Sequence, residues 1–212
     1  MSRCTAGIGA GESVGRASGG VDDWTHLVVI PSIGVAVHPT QLTRGDGELF
    51  PDCSVDGKWV VYLSLNKSEG FTLWRVDMEG GNPVQLTHQW AYGPRISPDG
   101  TLVAYGTLGA SQPHDVMVVI ESASGQRRYS WDTPPDIVDY HWAPDGQAVD
   151  YLITRGEVSN LWRQSLTGGP AKQITDFKSG RIFTFGWSRD GKQLLTVRGG
   201  ISSDVILIRN FR

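Results

Sequence analysis

Residues 96–106 read ISPDGTLVAYG: a short strand-like stretch, an Asp-Gly pair and a second apolar stretch. The motif recurs at intervals of 43, 46 and 45 residues, as CSVDG at 53–57, ISPDG at 96–100, WAPDG at 142–146 and WSRDG at 187–191. Asp-Gly between apolar segments is the strongest short hairpin signal, because glycine takes the positive φ of a tight two-residue turn and aspartate tolerates it. Each motif therefore predicts a β-hairpin with a two-residue turn. The predicted turn residues are Asp56, Gly57, Asp99, Gly100, Asp145, Gly146, Asp190 and Gly191.

Further strands follow each hairpin at similar distances. The third strands are LWRVD at 73–77, VMVVI at 116–120, LWRQS at 161–165 and VILIR at 205–209. A fourth strand ends in QLT at 85–87 and in QIT at 173–175, each after a Gly-Gly turn. Four antiparallel strands in about 45 residues match one propeller blade. The sequence thus predicts an all-β fold, a β-propeller of about four four-stranded blades.

The two ends of the repeat predict how the blades close. The last repeat stops after its third strand, and residues 37–43 end in the Gln-Leu-Thr typical of a fourth strand. We therefore expect this N-terminal strand to complete the C-terminal blade, while residues 27–30 resemble the third strand of an earlier repeat. Residues 1–23 are rich in glycine and serine and are expected to form a flexible segment before the propeller at 24–212.

These motifs carry a family resemblance. The pattern W-S/A-x-D-G, a strand with tyrosine, L-W-R, Gly-Gly-x-Pro and Q-L/I-T is similar to the TolB-like propeller repeat, distantly related to WD-repeat blades, over residues 37–212. Residues 158–211 resemble more narrowly the C-terminal end of propellers fused to bacterial serine/threonine protein kinases and related winged-helix regulators. TolB-like propellers usually have six or more blades. The resemblance therefore implies a shortened relative or the tail of a longer gene product.

Charge and hydropathy exclude some classes of partner. The chain has 19 basic and 22 acidic residues, a net charge of −3, and no basic run, which argues against nucleic acid. Apolar runs such as 116–120 are far shorter than the roughly 20 residues of a membrane span, so no direct membrane insertion is expected. Residues 1–20 lack the apolar core of a secretory signal.

Cysteine and histidine spacing predicts no metal site. The two cysteines, Cys4 and Cys53, form no C-x-x-C pair, and we interpret Cys53 as a small buried hydrophobic residue. None of the five histidines is spaced for metal binding with another histidine or with a cysteine. Neither a metal nor a cofactor is therefore expected.

Two short motifs resemble catalytic signatures. Residues 11–15 fit G-x-S-x-G, but no apolar strand precedes the serine as a nucleophile elbow requires. Residues 8–17 resemble a kinase glycine loop, yet His-Arg-Asp, Asp-Phe-Gly and the nucleotide-binding P-loop motif are missing from the sequence. The sequence therefore predicts a chain that is not an enzyme by itself.

Two columns of the repeat contain unusual polar residues. His141 occupies the position of Asp52, Arg95 and Gly186 in the first strand of each repeat, the strand nearest the channel of a propeller. These positions are candidate ligand-binding residues, although a locally bonded polar residue is the more common explanation. Asp150 falls in a column otherwise filled by Val61, Ala104 and Leu195. It is expected either to pair with Arg155 or another cation at an exposed strand end, or to form a polar site in the core; the structural ion pair is favoured.

The tryptophans fall into two groups. Those at recurring blade positions, Trp74, Trp142, Trp162 and Trp187, are predicted to pack in the core. Trp90 and Trp131 lie outside these columns, in what we predict to be connections between blades. They are candidate stacking anchors for a ligand, with simple coverage of the core as the alternative.

The sequence leaves two classes of function open. The first is a non-catalytic binding or sensor module for a protein, peptide or small ligand, within a bacterial serine/threonine kinase pathway. The alternative is the substrate-gating propeller of a prolyl-oligopeptidase-type serine peptidase. An open propeller would also leave a strand edge available for a homodimer. The compartment would be extracytoplasmic if a membrane segment lies upstream and cytoplasmic otherwise.

Overall fold

A computed structural model describes residues 27–29, 40–45, 47–108, 115–188 and 190–200. All regular secondary structure in these ranges is β-strand. In chain order the strands are β1 (Val28–Val29), β2 (Thr40–Gln41), β3 (Glu48–Cys53), β4 (Trp59–Asn66), β5 (Gly70–Asp77), β6 (Val84–Gln85), β7 (Tyr92–Ile96), β8 (Leu102–Leu108), β9 (Asp115–Glu121), β10 (Arg127–Asp132), β11 (Ile137–Trp142), β12 (Ala148–Arg155), β13 (Val158–Ser165), β14 (Lys172–Gln173), β15 (Arg181–Trp187) and β16 (Leu194–Gly199).

Three of the sheets are four-stranded and antiparallel, with strands paired in chain order. We name β3–β6 blade 1, β7–β10 blade 2, β11–β14 blade 3, and the hairpin β15–β16 blade 4. The pair β1–β2 forms a further sheet. The all-β architecture and the four-stranded antiparallel blade are thus confirmed.

The chain divides into two compact units. The first unit contains residues up to Pro135 together with Asp145–Gln147, and so holds β1, β2, blade 1 and blade 2. The second unit contains Asp136–Pro144 and the residues from Ala148 onward, and so holds blades 3 and 4.

The Asp-Gly pairs lie in hairpin loops, but the loops are longer than predicted. In blade 1 the N–H of Ser54 donates to the carbonyl of Trp59 (2.9 Å), which leaves four residues between them. The N–H of Gly57 donates to the carbonyl of Ser54 (2.9 Å), and Gly57 has φ 70°. Glycine therefore supplies the positive φ at the last position of a β-turn, and the expectation of a two-residue turn was wrong.

The aspartate of this motif caps its own loop. Asp56 Oδ1 accepts hydrogen bonds from Ser54 Oγ (2.7 Å) and from the Lys58 N–H (3.1 Å). Equivalent bonds recur around Asp99 in blade 2 and Asp190 in blade 4. These contacts explain why the aspartate precedes the glycine, because its side chain satisfies loop donors that no strand partner reaches.

The Q-L/I-T motif joins the outer strand to its neighbour by hydrogen bonds. In blade 1 Leu86 N–H donates to the Leu73 carbonyl (2.8 Å), and the Leu73 N–H donates to Thr87 Oγ1 (2.9 Å). The Gln85 side chain donates to the Thr87 carbonyl (2.9 Å). The same three bonds recur in blade 3 and between β1 and β2, through Gln173-Ile174-Thr175 and Gln41-Leu42-Thr43. A two-residue outer strand is thereby fixed in register.

Blade 1 is buried on both faces of its second strand. Alternate residues of β4 point to opposite sides, which is why this strand is a continuous apolar run. Val61 and Leu63 pack in a cluster with blade 2 residues that include Val103, Tyr105, Val118 and Ile120. Val60 and Tyr62 pack on the other side with Leu27 and Leu42. In the second unit, Leu152 and Leu161 of blade 3 pack with Ile182 and Phe185 of blade 4.

Each first strand contains one extra residue, a β-bulge. In blade 1 the register shifts between Leu49 and Asp52, and equivalent shifts occur in β7, β11 and β15. The first residues of the bulges are Phe50, Gly93, Val138 and Phe183. All but the glycine are exposed apolar side chains. The bulge thus turns an apolar residue of a first strand toward solvent.

Several expectations for the N-terminal region need correction. Strand β2, within residues 37–43, pairs with β1, within residues 27–30, so the two form the third and fourth strands of an earlier repeat. The strand at 205–209 that β2 was expected to complete lies outside the described residues, as does the segment 1–23. Cys53 is half-buried and disulfide-bonded, so its interpretation as a simple buried hydrophobic residue was wrong.

Candidate functional site

The strand register confirms that the two columns of the repeat lie opposite each other in every blade. Asp52 lies opposite Val61, Arg95 opposite Ala104, His141 opposite Asp150 and Gly186 opposite Leu195. Val61, Ala104 and Asp150 are each 0 % exposed, whereas Leu195 is 65 % exposed. The second-strand column is therefore a core position in three blades and a solvent-facing position in blade 4.

Asp52 connects two blades of the first unit. Its Oδ2 accepts a hydrogen bond from the N–H of Ile96 in β7 (2.8 Å), and its Oδ1 accepts one from the N–H of Cys53 (3.1 Å). Arg95 is half-buried, and its Nη1 donates to the Pro94 carbonyl (3.4 Å). Asp52 thus holds the first strands of blades 1 and 2 together, which is a structural role.

His141 belongs to a polar cluster in the second unit. Its Nε2 lies 3.4 Å from Oδ2 of Asp139, and the same oxygen accepts a hydrogen bond from Thr184 Oγ1 of blade 4 (2.9 Å). The ring of Phe185 meets the imidazole edge-on, with centroids 4.9 Å apart. The His141 side chain remains 32 % exposed. This cluster joins two first strands and still faces solvent.

Exposed apolar residues flank the cluster. Val138 precedes Asp139, Phe183 precedes Thr184, and both are bulge residues that face solvent. We call Val138, Asp139, His141, Phe183 and Thr184 the first-strand site. It offers a carboxylate and an imidazole for hydrogen bonding beside two apolar side chains, a combination that suits an extended peptide or a small amphipathic ligand.

Asp150 is a buried structural residue. Its carboxylate receives two parallel hydrogen bonds from Arg163, at 2.6 and 2.8 Å, and a third from Trp187 Nε1 at 2.9 Å. The predicted ion pair exists with another cation, Arg163, on the adjacent strand. Arg155 instead lies 4.0 Å from Asp136. The pair is in the interior of the sheet, and the expectation of an exposed strand end was wrong.

The two tryptophans outside the core columns differ from each other. Trp90 lies in the connection between β6 and β7, is exposed, and contacts Tyr92 with ring centroids 5.3 Å apart. Trp131 lies within β10 opposite Met117, so its assignment to a connection was wrong. The sequence provides no strand signal here, because residues 127–130 are Arg-Arg-Tyr-Ser and show no alternation of apolar and polar residues.

A cavity in the first unit escaped the sequence analysis. It has a volume of about 630 Å³ and lies between residues 42–45 and blade 1, with Tyr62 and Trp74 in its lining. Glu48, 3 % exposed, also lines it and accepts a hydrogen bond from the Gly45 N–H (2.7 Å). Burial, together with the charge of Glu48, raises the pKa of Tyr62 to about 12. The available signal was Glu48 itself, because the corresponding residue of blade 2 is the buried Ala91.

Metal-ligating clusters and membrane-spanning helices are both missing from the described ranges. No three His, Cys, Asp or Glu side chains in this part of the chain converge as metal ligands. The described residues also form no helix that is long and apolar enough to span a membrane.

Comparison with solved structures identifies the fold. The chain resembles TolB from Acinetobacter baumannii with a TM-score of 0.66 at 21 % identity, over 84 % of this chain and 44 % of that one. It also resembles the β-propeller domain of the Trilobed protease from Pyrococcus furiosus, with a TM-score of 0.59 at 12 % identity over 82 % of this chain and 55 % of that one. The fold is therefore that of a TolB-like β-propeller.

Curated relatives by sequence are peptidases. The uncharacterized peptidase YuxL of Bacillus subtilis is 29 % identical over 48 % of this chain and 16 % of its own length. The Tricorn protease homolog 1 of Streptomyces coelicolor is 30 % identical over 60 % of this chain and 11 % of its own length. The chain thus spans less than a fifth of these two relatives. No family model matches the chain.

Proposed function

We propose that this chain is a non-catalytic β-propeller module that binds a protein or peptide at the first-strand site. The observation that supports this role most directly is the Asp139–His141 pair, which is part exposed and flanked by solvent-facing Val138 and Phe183. Polar groups with two such apolar neighbours are the usual composition of a small recognition site.

The geometry of the site fits an extended peptide. Asp139 is held by Thr184 and by the N–H of Tyr140 (2.9 Å), so its carboxylate is fixed before any ligand arrives. His141 is fixed by the edge of Phe185. Preorganised polar groups lose little conformational entropy on binding, and backbone amides of a peptide provide both donors and acceptors for them. The apolar bulge residues would take alternate side chains of the same peptide.

Binding can be tested with an array of random peptide sequences probed by the purified full chain. His141→Ala should weaken the selected peptides at least about tenfold, the equivalent of about 1.4 kcal/mol. His88→Ala is the matched control, because His88 is an exposed histidine of the first unit. Equal loss in both variants, or no selected peptide, would overturn the assignment of the site.

The absence of catalysis is tested separately. The purified chain should hydrolyse neither chromogenic peptides nor ester probes, and it should not phosphorylate a generic protein substrate. Turnover that survives repeated purification and is lost in a variant of this chain would show an enzyme and contradict the proposal.

A second candidate function is the gating propeller of a serine peptidase. It is favoured by the curated relatives, which are named as peptidases and of which this chain covers a small part. The native polypeptide that carries these repeats would then react with a fluorophosphonate probe. An antibody raised against this chain would detect the labelled species. A native polypeptide that is detected but never labelled would exclude this candidate.

The connection to a serine/threonine kinase pathway rests only on the resemblance of residues 158–211. It predicts that the same antibody would recover a protein with autophosphorylation activity. Recovery of a polypeptide without such activity would leave the binding module without a kinase context.

A further inference from the structure

The cavity beside blade 1 is built on one face of the sheet. Glu48 of β3 lies opposite Ser64 of β4, and Tyr62 of β4 lies opposite Trp74 of β5. Residues directly opposite each other share a face, as do residues two apart on one strand. The bulge of β3 begins after Leu49 and leaves this part of the register regular. All four side chains therefore belong to one face, and all four line the cavity.

The buried wall of the cavity carries a negative charge. Glu48 is 3 % exposed, and its Oε1 accepts a hydrogen bond from the N–H of Gly45 at 2.7 Å. A carboxylate has about four acceptor positions, so it can serve several donors at once. Burial of such a charge is costly unless donors or a cation surround it. This wall therefore favours a positively charged group of a ligand.

Two aromatic rings lie on the same face as this charge. The hydroxyl of Tyr62 keeps its proton at neutral pH, because burial and the charge of Glu48 raise its pKa to about 12. The indole N–H of Trp74 already donates to Thr72 Oγ1 (2.9 Å), so Trp74 contributes mainly apolar ring surface to the lining. Aromatic rings attract cations as well as apolar groups. An ammonium group attached to an apolar body matches this combination.

The opening of the cavity carries the opposite charge. Arg44 and Lys67 both line the cavity and are exposed. Leu42 and Val76 are buried and add apolar surface to the lining. The charge thus changes from positive at the opening to negative at the buried wall. A zwitterion complements both charges, whereas a polyamine would be repelled at the opening and a dicarboxylate would be repelled by Glu48.

We propose that this cavity binds a free α-amino acid with an apolar side chain. The ammonium group of the ligand binds the carboxylate of Glu48, and its carboxylate binds Arg44 and Lys67 at the opening. The apolar side chain packs on the rings of Tyr62 and Trp74. The cavity volume of about 630 Å³ lies within the range of roughly 300–1,000 Å³ that small-molecule sites have. Its lining belongs entirely to the first unit, so this site is separate from the first-strand site.

Isothermal titration calorimetry of the full chain tests the class of ligand. L-leucine and L-phenylalanine should bind. N-acetyl-L-leucine lacks the ammonium group and L-leucinamide lacks the carboxylate, so each should bind at least about tenfold more weakly than L-leucine. Failure of both amino acids to bind would overturn the proposal. Equal affinity for L-leucine and N-acetyl-L-leucine would also overturn it, because the buried carboxylate would then have no part in recognition.

Gly45→Ala tests the position of the buried carboxylate without a change of charge. A Cβ at Gly45 would lie 2.5 Å from Glu48 Oε1, so the end of this flexible side chain must move. The affinity for L-leucine should fall about tenfold while the chain still unfolds cooperatively on heating. Gly186→Ala is the matched control, because no atom of the described ranges beyond its chain neighbours comes within 4 Å of such a Cβ. A folded Gly45→Ala variant that binds L-leucine as the parent does would contradict the role of Glu48.

Alanine substitutions at the opening test recognition of the carboxylate. Arg44→Ala and Lys67→Ala change exposed side chains, so both variants should fold. Each should weaken L-leucine about three- to tenfold, whereas the affinity for L-leucinamide should not fall. Lys58→Ala is the matched control, since Lys58 is an exposed lysine of blade 1 outside the lining. A variant that carries both opening substitutions and still binds L-leucine as the parent does would overturn the proposed orientation of the ligand.

Discussion

The indole N–H of Trp187 in blade 4 donates a 2.9 Å hydrogen bond to the buried carboxylate of Asp150 in blade 3. The same carboxylate holds Arg163, whose guanidinium lies 5.8 Å from the centre of the Trp187 ring. One buried acid thus organises a cation and an aromatic side chain from two blades.

Asp150→Ala should lower the free energy of unfolding by about 3 kcal/mol, because it removes the buried carboxylate that accepts hydrogen bonds from Arg163 and from the Trp187 N–H. Urea unfolding followed by tryptophan fluorescence measures the change. Asp136→Ala is the control and should cost less than about 1 kcal/mol, since Asp136 and Arg155 form an exposed pair. An Asp150→Ala variant as stable as the parent would contradict the structural role.

Thr87→Val should destabilise the chain by about 1–3 kcal/mol. The substitution keeps the shape of the side chain but removes Oγ1, the acceptor for the buried N–H of Leu73. Thermal unfolding of Thr87→Val and of Thr167→Val can be compared directly. Thr167 is exposed in a loop, so its substitution should change the Tm little.

Gly106→Ala should destabilise blade 2 by about 1–3 kcal/mol through overpacking. A Cβ at this position would lie 2.1 Å from Cζ of Tyr92, whose ring covers the glycine across the β7–β8 pair. If the clash is the cause, adding Tyr92→Leu should recover part of the loss, and a double-mutant cycle would measure this coupling. Strictly additive losses would show that the glycine is needed for another reason.

Stability should fall in acid through the aspartates of the hairpin loops. Burial of Asp99 acts to raise its pKa, but hydrogen bonds from Ser97 and Thr101 outweigh it and hold the pKa below the ordinary 3.8. A folded-state pKa below the unfolded one contributes stability that is present above pH 3.8 and is lost as the pH falls through the folded value.

Asp99→Asn should therefore reduce the dependence of stability on pH below about 4, measured as urea unfolding at a series of pH values. Ser97→Ala provides the comparison, because it removes the hydroxyl that donates to Asp99 Oδ1 (2.6 Å) and keeps the carboxylate. It should reduce the dependence of stability on pH in the same direction as Asp99→Asn, by a smaller amount. A Ser97→Ala variant with the pH dependence of the parent would mean that the serine contact does not lower the pKa of Asp99.

The repeat made most of the fold predictable from the sequence. An Asp-Gly hairpin is determined by residues that are neighbours in the sequence. The spacing of these motifs therefore gives the positions of the hairpins and of the two columns that contain Asp52 and Asp150. The partner of Asp150 was not predictable in the same way, because Arg163 reaches it across the β12–β13 pair rather than along the chain. The length of the hairpin loop was also predicted wrongly. Serine and aspartate side chains accept hydrogen bonds from the backbone N–H groups of the loop, which strand pairing would otherwise satisfy.

The candidate site was predicted only in part. His141 was identified as a member of the first-strand column with Asp52 and Arg95. Asp139 and Thr184 were not identified, because a bulge in each first strand shifts the alternation that a sequence pattern assumes. The cavity beside Glu48 depends on packing between segments that are adjacent in space through the sheet order. The one signal in the sequence was Glu48, an acidic residue at the repeat position that Ala91 occupies in blade 2.

The exposure of Leu195 has a practical consequence. Leu195 is 65 % exposed and Val197 is 56 % exposed, and the two side chains lie on the same face of β16 because they are two residues apart. An apolar outer face on a hairpin favours aggregation at the high concentrations used for crystallisation or NMR. Replacing these two side chains with lysine and threonine would remove this apolar surface and should lower the aggregation rate of the purified chain.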